Sequence, residues 1–309
     1  PSFGAVFTYY LSENYSTLKE VRKKKEKKSK KEGVDIKFPG WDNLDKELYE
    51  DRPIVILTIM DSLGNGIRKI KAKQGKGFHR ISWNLRYPAF NGVDTDGSGV
   101  FNEFSTRGGL TVMPGKYYAV LSKRVGGVNR SISDTVMFNV ISIQNGALKG
   151  SSPEDILAFG REVEKLKTAN YALNTVVDNT KRKLAAMNKA MASIGFSNDS
   201  VYLSIFQLNI QLEDIQKQLY GSKSKKEVGQ KTDPNLSERI WNAMGGTQNI
   251  SFGPTQTQKK SLQLATVEFE SIRLEVEEMV NDQIPILEEK ITKMGAPWIE
   301  GQPIPKATD

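Results

Sequence analysis

The sequence predicts an α+β chain of two domains: an N-terminal antiparallel β-sandwich of fibronectin or immunoglobulin type over residues 1–148, and a C-terminal antiparallel helical bundle with long helices over 149–309. Three observations predict it. Short runs rich in β-branched and aromatic residues, set off by Gly, Asn and Pro turn signals, fill the first half. Apolar residues recur at helical spacing through the second half. The 309 residues also suit about two domains at roughly 100–200 residues each.

The strand segments are, in order, 4–11, 54–60, 67–72, 78–85, 116–124 and 131–140. DSLGNG at 61–66 joins the second to the third, and Gly126-Gly127 joins the fifth to the sixth, as hairpin turns with positive-φ positions require. In the fourth, alternation sets Ile81, Trp83 and Leu85 on one face and Arg80, Ser82 and Asn84 on the other. Six or seven such strands suggest two packed sheets.

Ser152 as N-cap, Pro153 at the first helical position and Glu154 and Asp155 in the first turn open a helix of about forty residues, which ends near Gly195. A second spans about 199–220 and stops at Gly221, with a polar loop expected over 221–234. A short helix around 236–244 ends at Gly245-Gly246. The last long helix runs from near Pro254 to Gly295, and Pro285 inside it should kink or break it.

Charge is uneven. Residues 1–150 carry 25 Lys and Arg against 15 Asp and Glu, a net of +10; residues 151–309 carry 19 against 21, a net of −2. The excess concentrates in RKKKEKKSKK at 22–31, which includes Arg22, Lys23, Lys24 and Lys25. Such a block attracts phosphates or acidic glycans. It lacks the interleaved aromatics of a nucleic-acid surface, so nucleic acid is not an expected partner, and mutual repulsion predicts a solvated, mobile basic loop over about 19–37.

Composition removes several kinds of chemistry. There is no cysteine, hence no disulfide, thiolate nucleophile or Cys-based metal site, and His79 is the sole histidine. No stretch approaches the roughly 18 apolar residues of a membrane span. His79 alternates with Ile81 and Trp83 and reads as a structural histidine, since no GxSxG motif accompanies it. Asp42 with Asp45, and Glu277 with Glu278, read as solvated carboxylates rather than a glycosidase pair. DTDGSG at 94–99 places Asp94, Asp96 and Ser98 like the first half of a calcium loop, but the twelfth position is Ser105 and the nearest acid is Glu103. Those four residues are a weak candidate for structural calcium, and no other cofactor is expected.

Trp83 reads as core, and Trp241 is expected to pack from the short helix. Trp41 and Trp298 lie among Pro and Gly, where they cover the ends of the domains; with Tyr87 they are also the aromatic candidates for a ligand or partner. The chain opens at Pro1 without a charged-then-apolar leader and reads as a fragment or a processed chain.

GAVFTYYL at 4–11, DSLGNGIR at 61–68, GFHRISWNLRYP at 77–88, MPGKYY at 113–118 and GAPW at 295–298 together resemble the C-terminal region of sortilin-like BNR-repeat β-propeller proteins of Bacteroidetes type, often labelled glycosyl hydrolases. The close IEGQ at 299–302 departs from that pattern. The resemblance implies a sandwich and helical segment following a propeller, exported to the periplasm, outer-membrane surface or extracellular space. The hydrolase label belongs to the repeats, none of which is present, so the resemblance supplies no catalytic residue. The expected function is a non-catalytic structural or interaction module that docks on the propeller or on another protein of a surface complex. The alternatives are a carbohydrate-binding module with a glycan partner, and a glycoside hydrolase fragment.

Overall fold

The structure is a computed structural model that describes residues 3–93, 104, 108–142, 150–194, 199–247 and 252–306. The chain is mixed α and β, with antiparallel sheets in its N-terminal part and a long helical C-terminal region. It divides into two compact units, Pro1–Ala89 with Asp96–Ala147, and Phe90–Thr95 with Leu148–Asp309.

In the first unit β1 (Ala5–Leu11) pairs antiparallel with β4 (Gly77–Trp83), from Ala5 opposite Trp83 to Leu11 opposite Gly77. A second sheet is centred on β2 (Ile54–Met60), which lies between β3 (Gly66–Ala72) and the long β7 (Gly115–Val125). Being flanked on both sides explains why β2 is an almost unbroken apolar run, with Ile54, Val55, Ile56, Leu57 and Ile59 all buried. The far edge of β7 is shared by β8 (Val128–Ser131) and β9 (Val136–Val140). β5 (Arg86–Pro88) and β6 (Gly108–Thr111) form a separate pair. Leu11 and Trp83 from the small sheet pack in one core with Val55, Leu57, Ile59, Tyr117 and Leu121 from the larger one.

Two expected strands are each divided. The segment 78–85 stops at Trp83 because Leu85 takes a positive φ of 56°, which ends the alternation and turns the chain into β5. The segment 131–140 holds only the last residue of β8 and the whole of β9, with Ser133 between them donating to the Asp134 carbonyl and accepting the Leu121 N–H through its hydroxyl. In the β2–β3 turn, Asp61 Oδ1 accepts the N–H groups of Leu63 and Asn65, both at 2.9 Å, and Oδ2 accepts the Asn65 amide at 3.0 Å. The Asn65 amide and then the backbone donors hold the Asp61 carboxyl below its usual value of 3.8. A carboxylate depressed by folding stabilises above its unfolded pKa and loses that contribution as pH falls through the lower, folded value. Acid titration followed by NMR should therefore move the Leu63 and Asn65 amide resonances with a midpoint under 3.8. In Asp61→Asn that transition should be absent.

The basic stretch is not a loop: Leu18–Lys31 forms helix α1. Thr17 accepts the Glu20 N–H while the Glu20 carboxylate accepts the Thr17 N–H, a reciprocal cap that satisfies two orphan donors. Lys28, Lys30 and Lys31 sit in the last turn, where the helix dipole favours cations. Lysine is a good helix former, and a like-charged i,i+4 pair costs only about 0.2–0.5 kcal/mol. Capping and propensity thus outweigh the repulsion that would extend the segment. Trp41–Tyr49 forms α2, so Trp41, Asp42 and Asp45 are helical rather than irregular. The polar stretch 221–234 likewise contains a short helix, α5 (Lys223–Glu227).

In the second unit α3 (Pro153–Ala192) is capped by Ser152, whose side chain accepts the Asp155 N–H. At about 1.5 Å per residue its forty residues extend roughly 60 Å. Side chains from α3, α4 (Asp199–Tyr220), α6 (Leu236–Gly245) and α7 (Gln256–Glu278), with α8 (Ile284–Lys293), build a single apolar core. Between α7 and α8 the chain makes a π-helical turn, Met279–Gln283. The buried stripe runs Val276, Met279, Ile284, Leu287, Ile291, with a step of five where three or four is usual. One inserted residue places Pro285 in the first turn of α8, where its missing N–H costs least, so the helix re-forms without losing its apolar face. Phe90 and Asn91 join this unit through α3: Thr168 donates to the Phe90 carbonyl at 2.9 Å and Lys167 to Asn91 Oδ1 at 3.0 Å.

Candidate functional site

Two features of the first unit present chemistry outward. One is the excursion of residues 12–53 between β1 and β2, which carries α1 and α2. Its entry is pinned to the sheets: Asn14 Oδ1 accepts the Lys76 N–H at 2.7 Å, the Tyr15 N–H reaches the Gln74 carbonyl, and Lys123 lies 4.6 Å over the Tyr15 ring. Beyond that anchor neither helix buries a residue.

What joins the two helices is polar. Arg22 donates through Nε and Nη2 to the two Glu47 oxygens, at 2.6 and 2.8 Å, and through Nη1 to Glu26. The Arg22 bonds hold the Glu47 carboxyl below the usual carboxylate range, with Lys19 and Lys23 adding attraction, while Glu47 and Glu26 raise the guanidinium in return. Arg52 donates to Glu20 at 3.2 Å, and Glu50 accepts the Leu18 N–H at 2.6 Å. Both carboxylates of α1 are thus engaged by arginines, and eight lysines remain on the helix. Lys24, Lys25, Lys27 and Lys31 are exposed and make no ion pair among the described residues; Lys28 has only a 3.7 Å approach to Glu32. Those five border an open groove of about 960 Å³ alongside Asn14, Ser16 and Val21.

The excursion also exposes apolar groups. Trp41 is 73% exposed, its ring 5.1 Å from that of Phe38, with Leu48 and Tyr49 exposed further along α2. The end-covering role expected of Trp41 is therefore not what the fold gives it. Alternating apolar residues at 34, 36 and 38 lead into this helix, and that periodicity is the available signal; their exposure depends on partners that periodicity does not encode.

The second feature is the two-stranded sheet. Ala5, Phe7, Tyr9 and Ile81 point to the core yet stay partly exposed, and among the described residues neither β1 nor β4 pairs with a further strand. Val6, Tyr10 and Phe78 stand exposed on its other face, Tyr10 and Phe78 with ring centroids 4.9 Å apart. β1 carries no charged residue, whereas the edge strand β3 carries Arg68, Lys69 and Lys71.

Tyr87, Trp298, His79 and Glu277, which the sequence also singles out, are each held by local contacts. Tyr87 in β5 is half-buried and packs against the sheet core, while its carbonyl accepts Arg68 Nη1–H at 3.1 Å, so its ring is not an open stacking face. Trp298 is exposed, but its indole N–H is turned to the Gln302 and Pro303 carbonyls, each at 3.2 Å. Trp241 does not pack from the short helix: it is 75% exposed, because α6 buries Leu236, Ile240 and Ala243 on its opposite side. His79 Nε2 lies 2.6 Å from the Gly75 carbonyl and its ring 5.3 Å from Tyr9, a contact that fixes the start of β4. Tyr117 donates to the Met113 carbonyl at 2.6 Å, and burial, ahead of the fields of Tyr87 and Asp61, pushes its phenol up to about 12. Glu277 is held by Arg273 at 2.6 Å. Asp94, Asp96, Ser98 and Glu103 lie outside the described residues. Among the described residues no three His, Asp or Glu side chains gather as a metal site, and no helix is long and apolar enough to cross a membrane.

Comparison with known protein families, with curated proteins and with solved structures finds no match for this chain.

Proposed function

We propose that this chain is a non-catalytic structural and interaction module of an exported β-propeller protein, and that it docks by accepting a strand at the open edge of β1. In this reading the two sheets that share the core are the layers of a fibronectin-type sandwich, and α3, α4, α6, α7 and α8 an antiparallel bundle. The observation that carries the reading is the incomplete small sheet. Two strands stand across the core from five, and their inward side chains Phe7, Tyr9 and Ile81 are only half covered. A two-stranded ribbon is marginal by itself, and a third strand would cover those side chains and satisfy the open row of backbone groups. Natural edges are usually guarded by charge or proline, and β1 has neither.

The occupant is an extended segment with apolar residues at alternate positions, supplied by the propeller or by another protein of the surface complex. The test is size-exclusion chromatography of this chain with the propeller, together with the variant Val6→Lys/Tyr10→Lys. Both substituted side chains are exposed, so the fold should hold while the edge becomes charged. Co-elution is expected for the unmodified chain and its loss for the variant. Separate elution of the two folded proteins, or co-elution that the variant leaves intact, contradicts docking at this edge.

A further inference from the structure

We infer that the outward face of α1 is a binding site for a linear acidic polysaccharide, independent of the strand edge. Lys24, Lys27, Lys28 and Lys31 recur at i, i+3, i+4 and i+7 and so line one side of the helix. Lys24, Lys28 and Lys31 step along the axis by roughly 6 and 4.5 Å, about the length of one sugar residue, with Lys27 beside Lys28. The row is nearly uncompensated: among the described residues Lys28 alone of the four has an ion pair, the 3.7 Å approach to Glu32. Glu20 and Glu26, the acids of this helix, are held by Arg52 and by Arg22, which leaves the lysines facing an open groove.

The side-chain types decide between polyanions. Lysine is a point charge, suited to singly charged groups spaced along a chain; the fork of arginine, which recognises phosphate bidentately, is represented on α1 by Arg22 and spent on Glu47. No aromatic lies within Leu18–Lys31 to stack a base. A bilayer surface calls for a broad apolar stripe beside the cations, and on this face Val21 stands alone.

The experiment is isothermal titration of the full chain with polygalacturonate at two salt concentrations. Counterion release by about four lysines predicts an affinity that falls at least about tenfold between roughly 50 and 200 mM NaCl. Lys24→Glu/Lys27→Glu/Lys28→Glu/Lys31→Glu is expected to weaken binding by at least a further tenfold. The milder glutamine quadruple at the same positions, should reversal unwind α1 by circular dichroism, is expected to weaken it several-fold. A control with the same change of charge at exposed positions elsewhere, Lys223→Glu/Lys225→Glu/Lys231→Glu/Lys306→Glu, should stay within about twofold of the unmodified chain. Absence of binding by the unmodified chain or an equal loss in the control overturns the assignment. Tighter binding of duplex DNA or of phosphatidylserine vesicles than of polygalacturonate overturns it as well.

Discussion

Replacing Trp83 with alanine is expected to destabilise the sheet-containing unit by about 3–5 kcal/mol, the range for emptying a buried aromatic site. Trp83 is fully buried, and its ring lies 5.6 Å from Tyr117 and 6.1 Å from Phe138, both on the larger sheet. Its indole N–H donates to the Arg86 carbonyl at 3.0 Å and so braces the turn in which Leu85 takes its positive φ. Alanine therefore removes the largest of the side chains through which the small sheet packs on the larger one, beside Phe7 and Leu11, and it frees a turn. Domains are stable by only about 5–15 kcal/mol, so the loss is a large share of the total. Trp83→Phe keeps a ring but not the donor, and should cost roughly half as much. Hydrogen exchange of peptides covering β2, β4 and β7 measures this, with a rise of about two to three and a half orders of magnitude for alanine, since each 1.4 kcal/mol is a factor of ten. A change below tenfold would remove Trp83 from the centre of the core.

The contrast between Trp83 and the other tryptophans shows where sequence reading succeeds. Strand alternation puts Trp83 inward whatever the partner strand, and the fold buries it. Trp241 follows Ile240 directly, and helical spacing from Leu236 through Ile240 to Ala243 already turns position 241 outward; phase along the helix, not the size of the side chain, decides its exposure. The π turn is not legible in that way: Val280 to Ile284 is an ordinary step of four in the sequence, and the step of five appears only because the fold buries Met279 rather than Val280. In the basic segment Thr17 and Glu20 stand at capping-box spacing, and that local signal prevails over charge repulsion. Strand pairing is hidden for a different reason. β1 meets β4 across an excursion and a hairpin, and a pairing so distant is chosen by the shared core rather than by any local pattern. The candidate sites divide similarly: the lysines of α1 can be counted from the sequence, whereas the absence of Glu20 and Glu26 from their ion pairs follows from Arg52 and Arg22 being the groups that reach those acids.

The second large effect is expected at Leu184 in α3. It has no exposed surface and belongs, with Val177, Met187 and Met191 of the same helix, to the core that α4, α6, α7 and α8 complete. The nearby Thr180 is buried but its hydroxyl is satisfied by the Val176 carbonyl at 2.8 Å, so the polar atom adjoining this stripe carries no penalty that a cavity could relieve. Leu184→Ala should therefore cost about 2–5 kcal/mol, nearer the upper end if the long helix cannot shift to fill the void. Leu184→Met conserves volume and should cost less than about 1.5 kcal/mol. Urea denaturation followed by the helical circular dichroism signal separates the outcomes, because a lowered midpoint at constant slope reports lost packing whereas a changed slope reports a different end state. If alanine and methionine proved equally mild, Leu184 would not be a tightly packed element of one continuous core, and the five helices would have to be held together by their polar contacts, such as Lys183 to Glu288 at 2.8 Å. In such partly buried pairs desolvation offsets most of the attraction, which leaves too little to keep a forty-residue helix docked, and the two substitutions should therefore differ clearly.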